Sequence, residues 1–518
     1  MPLPDGFVAT PREIAPLHTS RRGRSRVTPA LLVEPLALLV ATPLALFPER
    51  FPAAAVGIAL GLLLVPYGVR YLLTGRFSAP SAANGPLAFL LLVMTPVALW
   101  RARVLGVDFW GESWPELVRL FWGAAVFWGV VNWCNPPRRR RRRVRRSGPV
   151  DAGSTQGRHL TSLGDGLSLR LQTATAAFLA LGLAFGLVGL LGVRNPQKVP
   201  GLGLLLEGLG HLVGEGSTSL LGLARSFNPN RVAALLVLFV PLTLAQALRP
   251  GPEVLSPRAW AIHRLGRLLW WGLWAFFSAA LLLTQSRAGL VAGGLASLLT
   301  LLLAGRQGGF PLLLTALAAL AAVDVLGTAR LLDLLALPGD GGAAGRLLAD
   351  PNVTGRFVIW QRALHAIVAA PITGVGLAGF HHLAQQPYPP LPHFVPDPDI
   401  THAHNLFLQV ALDLGLPGLL AYLALLAVAG WHLLRLLRRT RGHPAAYFWT
   451  VGIAAAFAAY LLYNTMDALT LGARPAVAAW FLLGLAVGAG ERTARGLEGM
   501  LLRCSKSRRK LADRFQQG

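Results

Sequence analysis

"THAHNLFLQVALDLGLPGLLAYLALLAVAG", residues 401–430, passes from two histidines and an asparagine into a long apolar run. From Leu406 the segment stays apolar to about residue 434, longer than the roughly 20 residues needed to cross a ~30 Å hydrocarbon core. A run of this length reads as a membrane helix, and the question is whether the rest of the chain follows it.

It does. Twelve segments qualify: 30–47, 52–72, 86–100, 117–133, 169–193, 231–248, 268–285, 288–304, 310–327, 406–434, 444–463 and 475–490. The composition agrees, with 54% hydrophobic residues, 14% charged residues and a mean hydropathy of +0.52 over 518 residues. Soluble domains carry about 25% charged residues, so a soluble multidomain enzyme is excluded. The alternating ten-residue segments of a β-barrel are absent from the sequence. The expected fold is an all-α polytopic membrane protein with about 12 transmembrane helices and one large outside loop, periplasmic if the resemblance given below holds.

The formal net charge of +25 is distributed by side. With the N-terminus in the cytoplasm, 34 of the 48 Lys and Arg residues fall in inside segments, as the positive-inside rule requires. The run "RRRRRRVRR" (138–146) lies in one such segment and reads as a topology anchor on anionic headgroups, not a nucleic-acid site. Cys134 and Cys504 also fall inside, so no disulfide framework is expected. The polar, arginine-rich start reads as a retained tail before a first helix, not a cleaved leader. The plan is thus a cytoplasmic tail 1–29, a membrane domain 30–490 and a basic cytoplasmic tail 491–518. Apolar, glycine-rich residues 201–224, with Glu207, His211 and Glu215, suggest a re-entrant or interfacial piece.

One outside loop is long, about 328–404. It holds the proline-rich "QQPYPPLPHFVPDPD" (385–399) and an amphipathic stretch, "GRFVIWQRALHAIVAAP" (355–371). There Phe357, Trp360, Leu364 and Ile367 share a helical face, and Pro371 ends the helix. Three outside residues run against the charge bias or close the loop: Arg287 in "TQSRAGL", Arg356 at the start of the amphipathic stretch, and His404. Arginine forks match phosphate oxygens, and a histidine can take a proton from a hydroxyl near neutral pH. Asn405 is placed to cap the helix that begins at Leu406, with the helix's positive end beside His404. Individually each has a plainer reading, as headgroup anchor, solvated charge or surface histidine. Together they suit an anionic lipid-linked substrate.

Metal donors exist in His381, His382, His393, Asp397, Asp399, His402 and His404, but their spacing matches no standard ligand pattern, and no metal or other cofactor is expected. No G-x-x-x-x-G-K-[ST] motif is present, which removes support for ATP-driven transport by this chain.

Four stretches resemble the bacterial O-antigen ligase and O-antigen polymerase superfamily of membrane glycosyltransferases. They are "RSFNPNRVAALLVLFVPL" (225–242), which contains Asn230; "TQSRAGLVAGGLASLL" (284–299); "GRFVIWQRALHAIVAAPITGVGLAGF" (355–380), with its Arg356, Trp360 and P-x-x-G-x-G; and "HAHNLFLQVALDLGLPGLL" (402–420), with His404, Asn405, Gly415 and Gly418. The resemblance implies a GT-C-like fold in the bacterial inner membrane and an active site facing the periplasm. It implies metal-independent, inverting transfer of a glycan from a polyprenyl diphosphate carrier to a glycan or lipid acceptor. His404 would be the general base, Arg287 and Arg356 would hold the diphosphate, and Asn405, Trp360 and Asn230 would support them. Ligase, repeat-unit polymerase and protein-glycosylating activities stay open on the sequence. So does a flippase for lipid-linked glycans, which would show repeated halves and broken midplane helices.

Overall fold

A computed structural model describes residues 33–136, 168–192, 228–251, 257–315, 317, 351–386 and 400–494. The run 138–146, residues 201–224, His393, Asp397, Asp399, Cys504 and the N-terminal tail lie outside these residues. The described residues contain helices and no strand. In chain order they are α1 Val33–Leu46, α2 Ala53–Thr74, α3 Asn84–Phe89, α4 Thr95–Val104, α5 Trp114–Cys134, α6 Leu169–Gly192, α7 Pro229–Leu236, α8 Phe239–Ala247, α9 Pro257–Leu283, α10 Arg287–Leu303, α11 Pro351–Ala369, α12 Gly379–Ala384, α13 Leu406–Thr440 and α14 Pro444–Met466. Residues 306–315 and 476–494 are also helical.

Among the described residues, eight helical stretches are long and apolar enough to cross a membrane, and α1 and α10 are shorter apolar helices. The chain is therefore an all-α polytopic membrane protein. Each of the twelve expected segments overlaps helix where it is described, the ninth being described only at 310–315 and 317. One boundary moves far. α9 starts at Pro257, eleven residues before the expected 268, because exposed Trp260, Ile262 and Leu265 keep that stretch apolar while Arg264 stacks over Trp260 at 3.9 Å.

The centre of the bundle is α14, which packs against α8, α10 and α13. A smaller core sits at the end of the bundle that carries the 351–405 region. There Ala363, Ala366 and Ile367 of α11 meet Val375, Phe380, Ile400, Ala403 and Leu412. Residues 355–369 are helical as expected, and the buried face is the one that carries the alanines. Phe357 and Leu364 are exposed, while Ala363, Ala366 and Ile367 are buried. The small alanines allow α11 to approach α13 closely, so packing chooses them over the larger apolar side chains.

The P-x-x-G-x-G stretch (371–376) docks into α13. Val375 N–H donates to the Leu412 carbonyl at 2.6 Å, and Leu416 N–H donates to the Pro371 carbonyl at 2.7 Å. Gly374 and Gly415 both sit at positive φ, 66° and 68°. A Cβ on Gly374 would run into the Leu412 carbonyl, and one on Gly415 into the Ile372 carbonyl. So α13, expected as one helix, breaks at Gly415. Its first nine residues, 406–414, are a separately aimed piece pinned by this backbone exchange.

Candidate active site

The segment 400–405 is held from below by its own apolar residues, since Ile400 and Ala403 belong to the small core. Ala403 N–H donates to Gln409 Oε1 at 2.8 Å, and Gln409 Nε2 donates to Asp413 Oδ1 at 2.8 Å. Asn405 caps α13, its side-chain oxygen accepting from Phe407 N–H at 3.0 Å and Leu408 N–H at 3.1 Å. The amide Nδ2 of Asn405 donates to the Thr465 carbonyl at 3.1 Å, which ties the start of α13 to the end of α14. Between these fixed points His404 is forced to φ +46°. A residue of this kind at positive φ costs about 1–3 kcal/mol, which the surrounding hydrogen bonds sustain.

The partner of His404 is Asp467, one residue beyond the last turn of α14. His404 Nδ1 lies 3.0 Å from Asp467 Oδ1. The same oxygen accepts from Ala468 N–H at 2.8 Å and lies 3.5 Å from His402 Nε2. On the other oxygen, the Tyr463 hydroxyl sits 3.2 Å from Oδ2, and 2.6 Å from the Asn230 carbonyl. Its single proton can serve one of the two. Asp467 is 2% exposed. Burial alone would raise its carboxyl, but hydrogen bonds from His402 and His404, and their charges, outweigh burial and hold it below the usual carboxylate range. Burial acts on His402 too and lowers it, against the pull of Asp467, favouring the neutral ring.

With an ionised Asp467 accepting at Nδ1, His404 carries its proton on that nitrogen, an assignment made from the hydrogen bond. Nε2 is then an acceptor. The His404 side chain is 27% exposed, open enough for a substrate to reach. His402 stacks beside it, ring centroids 4.3 Å apart, with Nδ1 2.7 Å from Thr401 Oγ1. The arrangement is a carboxylate–histidine dyad able to take a proton from a bound hydroxyl.

Two arginines act electrostatically on residues of this site. Arg287 is the first residue of α10, next to Ser286, whose hydroxyl caps that helix. Arg356 on α11 lies within electrostatic reach of Tyr463. Arg231, near the start of α7, acts on both His402 and Glu116. That helix start is built by Asn228, whose side chain accepts from Asn230 N–H at 2.9 Å. Asn230 thus contributes its backbone carbonyl to the site. Trp360 lies edge-on to Phe357 at 5.6 Å, its indole N–H without a hydrogen-bond partner among the described residues.

Sequence reasoning missed Asp467, Tyr463 and Arg231. An acidic residue just past a membrane helix, in "YNTMDALT" (463–470), is a signal of its own, but only the fold joins it to His404. Of the metal donors that the sequence offered, the fold brings His402 and His404 together with Asp467, donor atoms of the three lying within 4.8 Å of one another. His381 Nδ1 turns instead to the Ile400 carbonyl at 2.9 Å, and Gln386 Nε2 lies 3.0 Å from His382 Nε2. The 3.0 Å contact of His404 with Asp467 is equally that of a charge-assisted hydrogen bond.

Residues 272–423 match the family model described as O-antigen ligase. That stretch is similar to the O-antigen ligase family. The match contains Arg287, Arg356, Trp360, His404 and Asn405, while Asn230, Arg231 and Asp467 lie outside it and are brought to it by the fold. No curated protein matches the chain. The similarity supports ligase- or polymerase-type glycan transfer in general, by a glycosyltransferase-like membrane protein.

Proposed function

We propose that the protein transfers a glycan from a polyprenyl diphosphate carrier to an acceptor hydroxyl at the periplasmic face of the inner membrane. The observation that carries this reading is the His404–Asp467 dyad, with Arg231 in electrostatic reach of His402 and Arg356 of Tyr463, at one end of a membrane bundle. The excess of Lys and Arg in the opposite loops supports a periplasmic position for that end.

In the reaction, His404 Nε2 removes the acceptor hydroxyl's proton. The acceptor oxygen attacks the anomeric carbon, forming the new C–O bond as the bond to the diphosphate oxygen breaks. The bonding pair leaves on the diphosphate, and a single displacement inverts the anomeric configuration. Asp467 holds the imidazole tautomer and balances the imidazolium that forms. Arg287, Arg356 and Arg231 stabilise charge developing on the diphosphate. No ATP enters, because the diphosphate is itself a good leaving group. On this account the three-residue His402–His404–Asp467 set serves protons and not a metal.

The test is purified wild-type protein in detergent with a polyprenyl-diphosphate-linked repeat and an acceptor, with and without a strong chelator. A new glycosidic product of inverted configuration in both samples is the expected result, whereas a flippase makes no such product. Activity that dies with the chelator and returns with a divalent ion would replace the dyad with a metal centre. A ladder made from the repeat alone would assign polymerase chemistry.

A further inference from the structure

We propose that Gln285 is a specificity residue that reads the first sugar of the donor, an inference that rests on the proposed transfer from a polyprenyl diphosphate. Gln285 lies in the turn between α9 and α10, two residues before Arg287. It is 8% exposed, yet neither Oε1 nor Nε2 has a hydrogen-bond partner among the described residues. No other side chain among them leaves two buried polar atoms open in this way. The rest of the turn is satisfied locally. Gln285 N–H donates to the Leu282 carbonyl at 3.0 Å. Thr284 Oγ1 donates to the Leu281 carbonyl at 2.6 Å and accepts from Ser286 N–H at 3.3 Å, and Ser286 Oγ accepts from Gly289 N–H at 3.4 Å. Gln285 itself is held at φ +52°, which strains any residue with a Cβ. A buried amide with no partner is destabilising as well. Both costs fall on one residue, and no contact among the described residues offsets the second, which is the pattern of a functional position. The turn stands at the dyad end of the bundle. α10 packs so closely on α7 that a Cβ on Gly289 would lie 2.9 Å from the Ala233 Cβ. One turn earlier in α7, the Asn230 carbonyl accepts from the Tyr463 hydroxyl, whose oxygen lies 3.2 Å from Asp467 Oδ2.

An amide open at both atoms specifies its ligand. Nε2 donates and Oε1 accepts, so the ligand must offer an acceptor and a donor together. An ionised diphosphate has no proton to give and would leave Oε1 empty. An isoprenoid tail offers neither. Sugar hydroxyls and acetamido groups offer both, and the sugar bonded to the diphosphate is the nearest such group to an anion held at the exposed Arg287. The dyad and the arginines act on the reacting bond of any such donor. Gln285 is neutral, and a polar group left unpaired by the wrong ligand discriminates strongly against it. Gln246 in α8 supplies the contrast. It is also buried, at 5% exposure, but only its Nε2 is open. It lies sixteen residues beyond Asn230, about 24 Å along the helices and away from the dyad.

Binding of two ligands to the purified protein decides this: undecaprenyl diphosphate carrying a glycan, and bare undecaprenyl diphosphate. The variants are Gln285→Met, which keeps the length of the side chain and removes the amide, and Gln246→Met as the control, with Tm recorded for each. Gln285→Met should bind the glycan-bearing carrier about tenfold more weakly, the scale of two neutral hydrogen bonds. It should bind the bare carrier as wild type does. Its Tm should hold or rise, because an open buried amide has been removed. Gln246→Met should bind both carriers as wild type does. Donors with an acetamido group or a hydroxyl on the second carbon of the first sugar then name the group that is read, by which of them loses more affinity. An equal loss on both carriers would assign the amide to the diphosphate, unchanged binding of both would leave it idle, and a matching loss in Gln246→Met would make the effect general; each overturns the proposal. So does a fall in Tm or a failure of Gln285→Met to fold, since either would give the amide a partner inside the protein. Binding is read without turnover, so a wild-type protein that binds the glycan-bearing carrier and transfers nothing loses the transferase reading alone.

Discussion

At the end of the bundle opposite His404, buried polar groups satisfy one another. Asn132 donates to Glu34 Oε1 and accepts from Ala79 N–H, both at 2.8 Å; Asn135 Nδ2 donates to the Gly488 carbonyl at 2.8 Å; and Arg492 donates to the Cys134 carbonyl at 3.1 Å. At the His404 end the pattern is different. His404 and Gln285 sit at positive φ, and neither amide atom of Gln285 has a hydrogen-bond partner among the described residues. The first network closes on itself and specifies how α1, α5 and the 476–494 helix meet. The second keeps strain and open valence where a substrate could use them.

The comparison breaks first, and hardest, at Asp467. Asp467→Asn keeps the size of the side chain but removes the charge that fixes the tautomer of His404. Turnover should fall about 10²-fold or more, on the scale of losing general-base catalysis. Steady-state kinetics with the purified variant measures this, and full activity would make Asp467 a structural cap. A smaller loss is expected for Arg287→Lys, about tenfold in kcat/KM, because an ammonium cannot reproduce the guanidinium fork on a diphosphate. Unchanged kinetics there would reduce Arg287 to a headgroup anchor.

At the other end the expected readouts are reversed. Asn132→Leu strands Glu34 Oε1 and the Ala79 N–H, so stability should drop by about 1–3 kcal/mol per stranded group. The apparent Tm should fall while turnover per folded molecule holds. A loss of turnover without a loss of Tm would erase the distinction between the two ends.

The subtlest effect concerns His402. Its ring is lowered from the ordinary histidine value of about 6.5 by burial. Below that value the unfolded chain binds a proton that the folded ring refuses, so stability declines as pH falls from about 6.5 through the folded value. Asp467, also lowered, stays ionised across that window and adds no slope until the pH reaches the acid range. His402→Gln should therefore flatten the dependence of Tm on pH between neutral and mildly acidic conditions. An unchanged slope would mean that another group sets it.

The membrane architecture was legible because hydrocarbon length and hydropathy are properties of contiguous sequence. The break at Gly415 was not, although "DLGLPG" (413–418) contains both Gly and Pro, because membrane helices tolerate both without breaking. What decides the matter is the backbone exchange with Pro371 and Val375, about forty residues upstream. The same reason separates His404 from its partner. His404 could be singled out by its place before a capped helix, whereas Asp467 acquires a role only when α14 returns beside α13. Which face of α11 is buried was not legible either, because close approach to α13 draws on the small Ala363 and Ala366 and leaves Phe357 and Leu364 exposed.

The most direct test of the account is single-turnover glycan transfer by purified His404→Ala beside wild type, in nanodiscs, with Tm recorded on the same samples. The account predicts a loss of about 10²–10⁴-fold in the chemical step at an unchanged Tm, with donor binding retained. Transfer at the wild-type rate by a folded His404→Ala protein would contradict it.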